Sequence, residues 1–140
     1  MQNNVTLEIT ELKQIAQAAA TRAHAPYSRF PVGAVLLFKD GSVVTGCNVE
    51  NASYGLTNCA ERTAIFSAQA QGYDLKDVVS VCIYTPSEVV YSPCGACRQV
   101  LAEFIAPQTP VISTAKVGEK VWSLEQLLPD AFQTFEPTLK

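Results

Sequence analysis

Apolar residues at Leu12, Ile15, Ala16 and Ala19 recur with a helical period behind Thr10 and Glu11, and predict a first helix over residues 10–23 that ends before Pro26. Two β-branched-rich runs follow at 33–38 and 42–50. The Lys39-Asp40-Gly41 link between them carries an Asp-Gly hairpin signal, which predicts antiparallel strands. Asn58 is placed to cap a second helix over 59–70, with Ala60, Ala64, Ile65 and Ala68 on its apolar side and Gly72 as its stop. The continuous apolar run at 78–85 reads as a buried strand. Ser92-Pro93 supplies a cap and a first helical residue for a third helix through Ile105, which Pro107 closes. A fourth strand at 111–116, a turn at Gly118, a short fifth strand at 120–122 and a Ser123/Gln126 capping box for a last short helix complete the chain. The order αββαβαββα predicts an α/β fold. Its sheet should be mixed and five-stranded, with right-handed crossover helices largely on one face.

At 140 residues and 48% apolar content the chain is expected to form a single domain, 1–140, that buries a core without staples. The longest apolar stretch, 32–38, is far short of a membrane span and is interrupted by Gly33, so no membrane partner is expected. The start Met-Gln-Asn-Asn has neither the basic residues nor the apolar run of a secretory signal, which makes the cytoplasm the expected compartment. A net charge of −3 without any Lys/Arg run argues against a nucleic-acid partner and toward a small molecule. His24 is the only histidine, so sites that need two imidazoles are excluded.

The five cysteines carry the strongest chemical signal. Cys59 falls at the start of one predicted helix, and Cys94 and Cys97, three apart, share a face at the start of the next. Helix N-termini favour thiolates, and three thiolates with an open fourth position suit a catalytic zinc. Cys94-x-x-Cys97 alone would equally fit a redox dithiol or half of a structural zinc knuckle. A closed structural site would need a fourth ligand, but Cys47 and Cys82 read as small buried apolar residues and His24 as a solvated or capping residue. Glu61, two residues past Cys59, could move a proton at the site or merely complete a capping box with Asn58. Zinc with three thiolates keeps a net negative charge that weakens its Lewis acidity. The neighbouring cation Arg62 is therefore a candidate to hydrogen-bond the sulfurs.

The segments Ala25-Pro26-Tyr27-Ser28-Arg29-Phe30, Val32-Gly33-Ala34, Gly46-Cys47-Asn48-Val49-Glu50-Asn51-Ala52, Cys59-Ala60-Glu61-Arg62-Thr63-Ala64, Pro93-Cys94-Gly95-Ala96-Cys97-Arg98-Gln99 and Leu127-Leu128-Pro129 together resemble the small homotetrameric branch of the cytidine deaminase family. The resemblance implies the fold of that family. It implies one zinc per chain on Cys59, Cys94 and Cys97, with Glu61 as the catalytic acid–base that carries protons from water to pyrimidine N3 and to the leaving amine. It also implies hydrolysis of cytidine and deoxycytidine to the uracil nucleosides in pyrimidine salvage. Asn48 and Glu50 would hold the ribose hydroxyls, sharing one face if the strand runs through 50. Phe30 would form an aromatic wall, and Ala60 would be a further substrate contact. Tyr54 and Phe132 would reach the site of a neighbouring subunit in a homotetramer, with Phe135 as the alternative to Phe132. The rivals from other classes are a non-catalytic zinc-stabilised module and a thiol oxidoreductase using Cys94 and Cys97, and neither requires Glu61.

Overall fold

The computed structural model describes residues 7–133 of the 140. Helices α1 (Ile9–Ala20), α2 (Ala60–Ala70), α3 (Gly95–Phe104) and α4 (Leu124–Leu127) alternate with strands β1 (Gly33–Phe38), β2 (Val43–Cys47), β3 (Val78–Tyr84), β4 (Pro110–Thr114) and β5 (Glu119–Ser123) in the predicted order. The strands form one sheet in the order β2-β1-β3-β4-β5, parallel only between β3 and β4. That parallel pair is the one joined through a helix, α3, as a crossover requires.

Because side chains alternate across a strand, each face of the sheet builds its own core. Ala34, Leu36, Val44, Val81, Ile83 and Val111 pack beneath α2, α3 and α4. Val35, Leu37, Cys82, Tyr84 and Ile112 pack against α1 through Leu12, Ala16 and Ala20. The crossover helices thus share a face, and β1 is buried along its whole length between the layers.

Several boundaries differ from the sequence reading. The first helix begins at Ile9 behind Glu8, whose N–H donates to Glu11 Oε1 (3.2 Å), and it ends at Ala20. The second is capped by Cys59 rather than Asn58, and the third by Cys94 rather than Ser92, so Ser92 and Pro93 precede α3 as loop. The Cys94 sulfur does the work of an oxygen cap by accepting the Cys97 N–H at 3.4 Å. The second strand stops at Cys47, and residues 48–50 continue irregularly, with only isolated bridges from Val49 to His24 and Asn58. The Asp40 turn and the Ser123/Gln126 capping box form as predicted.

Small residues set the spacing of the layers. Ala60, Ala64 and Ala68 each bury little area, so α2 gains contact by lying close to the sheet rather than by bulk. The approach is close enough that a Cβ on Gly46 would sit 2.4 Å from the Ala64 nitrogen and 2.5 Å from the Ala60 carbonyl oxygen. Gly33 is crowded in the same way by Ala16 of α1 on the opposite face. Both obstacles are helix backbone, which cannot rotate aside as a side chain can. Gly46→Ala is therefore expected to push α2 outward and to cost about 1–3 kcal/mol of overpacking, lowering the thermal midpoint by roughly 3–10 °C. A melting curve that superimposes on the wild type would show that the sheet yields without strain.

Candidate active site

The N-termini of α2 and α3 meet on the sheet face that these two helices cover, and each begins on a cysteine with extended backbone. The sulfurs of Cys59, Cys94 and Cys97 all lie within 4.8 Å of one another, with Cys59 and Cys94 4.0 Å apart. Tetrahedral zinc–sulfur bonds place ligand sulfurs roughly 3.8 Å apart, so the cluster fits a zinc ion after a slight contraction. Among the described residues no fourth His, Cys, Asp or Glu joins the three. Cys82 is buried in the core beneath α1, Cys47 is half-buried on β2, and His24 is exposed and pairs through its backbone with residues 48–50. The donor set leaves the fourth position open.

The electrostatics of the cluster follow from its crowding. The Cys59 thiol is held down at about 5, first by a hydrogen bond from Cys97 and then by Arg62, whose Nη2 donates to the Cys59 sulfur at 3.3 Å. Cys97, as the donor in that pair and a buried group, is pushed well above the ordinary thiol range. The thiolate in turn strengthens the hold of Arg62 on its proton. Without metal, Cys59 is the favoured anion and Cys97 keeps its proton. Metal binding must displace that proton.

Glu61 stands at the second position of α2 and is only 5% exposed. The predicted capping box with Asn58 does not form, because the helix starts one residue later and the Asn58 amide turns to the Thr63 hydroxyl at 3.3 Å. Burial pushes the Glu61 carboxyl up to about 7, and the nearby Cys59 anion adds to the shift. Glu61, Cys59 and Cys94 open on one cavity of about 430 Å³, whose wall includes Phe30 and Val32. Its remaining wall was missed by the sequence reading: Ile83 and Thr85 at the end of β3, and Tyr91, Ser92 and Pro93 before α3. Strand alternation from Val81 would have pointed to Ile83 and Thr85, whereas no periodic signal marks the loop residues.

The other expected contacts are distributed differently. Asn48 is buried and lies past the end of β2, so it does not share a strand face with Glu50. Its Oδ1 accepts the Val32 N–H (2.8 Å) and its Nδ2 donates to the Phe30 carbonyl (2.9 Å), so it clamps the segment that presents Phe30. Glu50 accepts the N–H groups of Tyr27 (3.0 Å) and Ser28 (3.1 Å) and the Ser28 hydroxyl, and these bonds lower its pKa. Glu50 and Tyr54 line a second depression of about 260 Å³ with Tyr27, Ser28 and Thr57, where the Tyr27 and Tyr54 rings meet edge-on at 5.6 Å. Ala60 is fully buried in the core and is not among the residues that line the cavity. Phe132 is 69% exposed and is not part of the cavity wall, though its carbonyl accepts from Gln99 Nε2 at 2.8 Å. Phe135 lies outside the described residues.

The family described as "Cytidine and deoxycytidylate deaminase zinc-binding region" matches residues 7–113. A cytidine deaminase of Halalkalibacterium halodurans is 51% identical over 111 residues, 79% of this chain and 83% of that protein. The crystal structure of a cytidine deaminase from Burkholderia pseudomallei superposes with a TM-score of 0.86 at 49% identity, covering 90% of this chain and all of that one. The Mycobacterium tuberculosis cytidine deaminase structure gives 0.76 at 41% identity, covering 91% of this chain and 98% of its own. With three thiols set for zinc beside a buried glutamate, and with these matches along most of its length, the chain belongs to the cytidine and deoxycytidylate deaminase family.

Proposed function

We propose that this protein deaminates cytidine and deoxycytidine hydrolytically, giving uridine and deoxyuridine and releasing ammonia, as a step of pyrimidine salvage. The observation that carries the reading is one cavity on which two cysteines of the three-thiol cluster, Cys59 and Cys94, open together with the buried carboxyl group of Glu61, beside Phe30. Cys59, Cys94 and Cys97 hold one zinc per chain, which when bound supplies the Lewis acidity that makes water a nucleophile at neutral pH. Arg62 shares its positive charge with the Cys59 sulfur and offsets the excess negative charge of three thiolates. Glu61 carries the protons: it takes one from the attacking water and gives it to pyrimidine N3, then takes the second from the hydroxyl now on C4 and passes it to the amine as the C4–N bond breaks and the C4 carbonyl forms. Cytidine and water thereby become uridine and ammonia. Phe30, in the cavity wall, flanks the base, and on the same reading the Ala60 backbone meets the substrate while Asn48 and Glu50 meet the ribose hydroxyls.

The same reading makes the active unit a homotetramer in which Tyr54 and Phe132 serve a neighbour's site. Both rings are largely exposed in the isolated chain and lie outside the cavity that holds Glu61, which supports such a role. All five cysteines are free thiols, which suits a cytoplasmic setting.

Removing one ligand tests the metal assignment. Cys97→Ala should lose most of its zinc on dialysis, measured by metal analysis of folded protein, and stoichiometric zinc in that variant would take Cys97 out of the ligand set. Glu61→Gln should fold and retain zinc while ammonia release from cytidine falls by about 10²–10⁴-fold or more. Near-normal turnover per folded chain would remove Glu61 from the chemistry. Mixing inactive Glu61→Gln chains with an inactive Phe132→Ala variant should restore part of the activity in hybrid assemblies, because some sites then combine an intact Glu61 with an intact neighbouring Phe132. Verified hybrids that recover nothing, or a fully active monomer, would overturn the shared site.

A further inference from the structure

Arg98 follows Cys97 directly, is half-buried, and spends its guanidinium on acceptors of its own chain. Its Nε donates to the Pro93 carbonyl (2.7 Å), its Nη2 to the Ser92 hydroxyl (2.8 Å) and its Nη1 to the Leu127 carbonyl (2.7 Å). The first two acceptors belong to the loop that walls the cavity and delivers Cys94 to the head of α3. The third is the last residue of α4, after which the backbone turns through Asp130, at a positive φ of 51°, toward Phe132. Gln99, the next residue, holds the Phe132 carbonyl from the same helix. Two segments more than thirty residues apart, 92–94 and 127–132, are thus bonded to consecutive side chains in one turn of α3.

We propose that Arg98 is a positioning residue that locks the Cys94 loop and the segment leading to Phe132 into one rigid piece. The choice of side chain is informative. A guanidinium presents donors in a fixed planar fork, so three separate acceptors fix one another's positions through it, while an ammonium on a flexible stem imposes no such geometry. The coupling rests on zinc occupying the three thiols, since displacement of Ser92 and Pro93 displaces a ligand. It does not rest on which nucleoside is deaminated.

The zinc-loaded protein tests it with two readouts that need no turnover. One is the rate of zinc release to a chromophoric chelator. The other is hydrogen exchange of the backbone amides in 128–133. Arg98→Ala should speed both by at least about tenfold, and Arg98→Lys should move both in the same direction by less. Ser92→Ala should speed zinc release alone, and Gln99→Ala should speed tail exchange alone. Exchange in α1, on the other face of the sheet, should stay at wild-type rates. Should Arg98→Ala fail to fold, Arg98→Lys decides. A folded variant at Arg98 that moves one readout without the other, leaves both unchanged, or loosens α1 equally overturns the coupling. Loss of the deamination reading would appear as zinc-loaded protein that releases no ammonia from cytidine, with both of these rates unaffected.

Discussion

Three sulfurs within 4.8 Å of one another cannot all be anionic without compensation, and much of the local architecture supplies it. Two thiolates at the 4.0 Å separation of Cys59 and Cys94 would repel by on the order of 4 kcal/mol at an effective dielectric near 20. A helix N-terminus offsets roughly 0.3–2 kcal/mol, so two of them and one arginine ease the strain without removing it. A proton retained on Cys97 or a divalent cation must do the rest. The site is consequently built to be completed by metal, and the placing of both cysteine caps, of Arg62 and of the short first turn that carries Glu61 follows from that demand.

The convergence of two helix ends depends in turn on features remote from the chemistry. The N-terminus of α2 is held where it is because Gly46 lets the helix backbone lie against β2, and α3 arrives beside it because the only parallel strand pair forces a helical crossover on the same face. A bulkier residue in β2 would move Cys59 and Glu61 together, since both sit in the first turn of the displaced helix. Cys59 and Glu61 would keep their mutual geometry, while their distances from Cys94 and Cys97 would change, so the three sulfurs would no longer be spaced to hold one metal ion.

Much of this was legible in the chain. Periodicity together with cap and turn signals placed the four α-helices and five strands in order, though not the 3-10 turns at Tyr54–Leu56 and Leu75–Asp77, and the spacing of Cys59, Cys94 and Cys97 at predicted helix starts anticipated their meeting. The errors have common causes. Oxygen-bearing caps were preferred at Asn58 and Ser92, whereas sulfur-bearing Cys59 and Cys94 occupy those positions, because the sulfurs are drawn to the helix ends as prospective anions. Strand alternation was carried on through Glu50, but pairing stops at Cys47 where the 27–32 loop folds over. That loop includes Arg29 at a φ of 55°, a conformation that no periodic pattern encodes. Loop residues such as Tyr91 reach the cavity through long-range topology rather than through any local signal.

The 27–32 loop also changes what Asn48 and Glu50 can offer a ligand. An ionised carboxylate has about four acceptor sites, and Glu50 already receives the N–H groups of Tyr27 and Ser28 and the Ser28 hydroxyl. About one site is left. Asn48 uses its carbonyl for Val32 and one amide hydrogen for Phe30, which leaves a single free N–H and one lone pair. In the proposed role, each residue would have capacity for one hydrogen bond to a ribose without breaking any internal bond. The groups that would recognise the sugar are the same ones that hold Phe30 in place, so the aromatic wall is set before the nucleoside arrives. Ordering of this segment is met during folding rather than at binding, which preserves more of the contact energy for affinity.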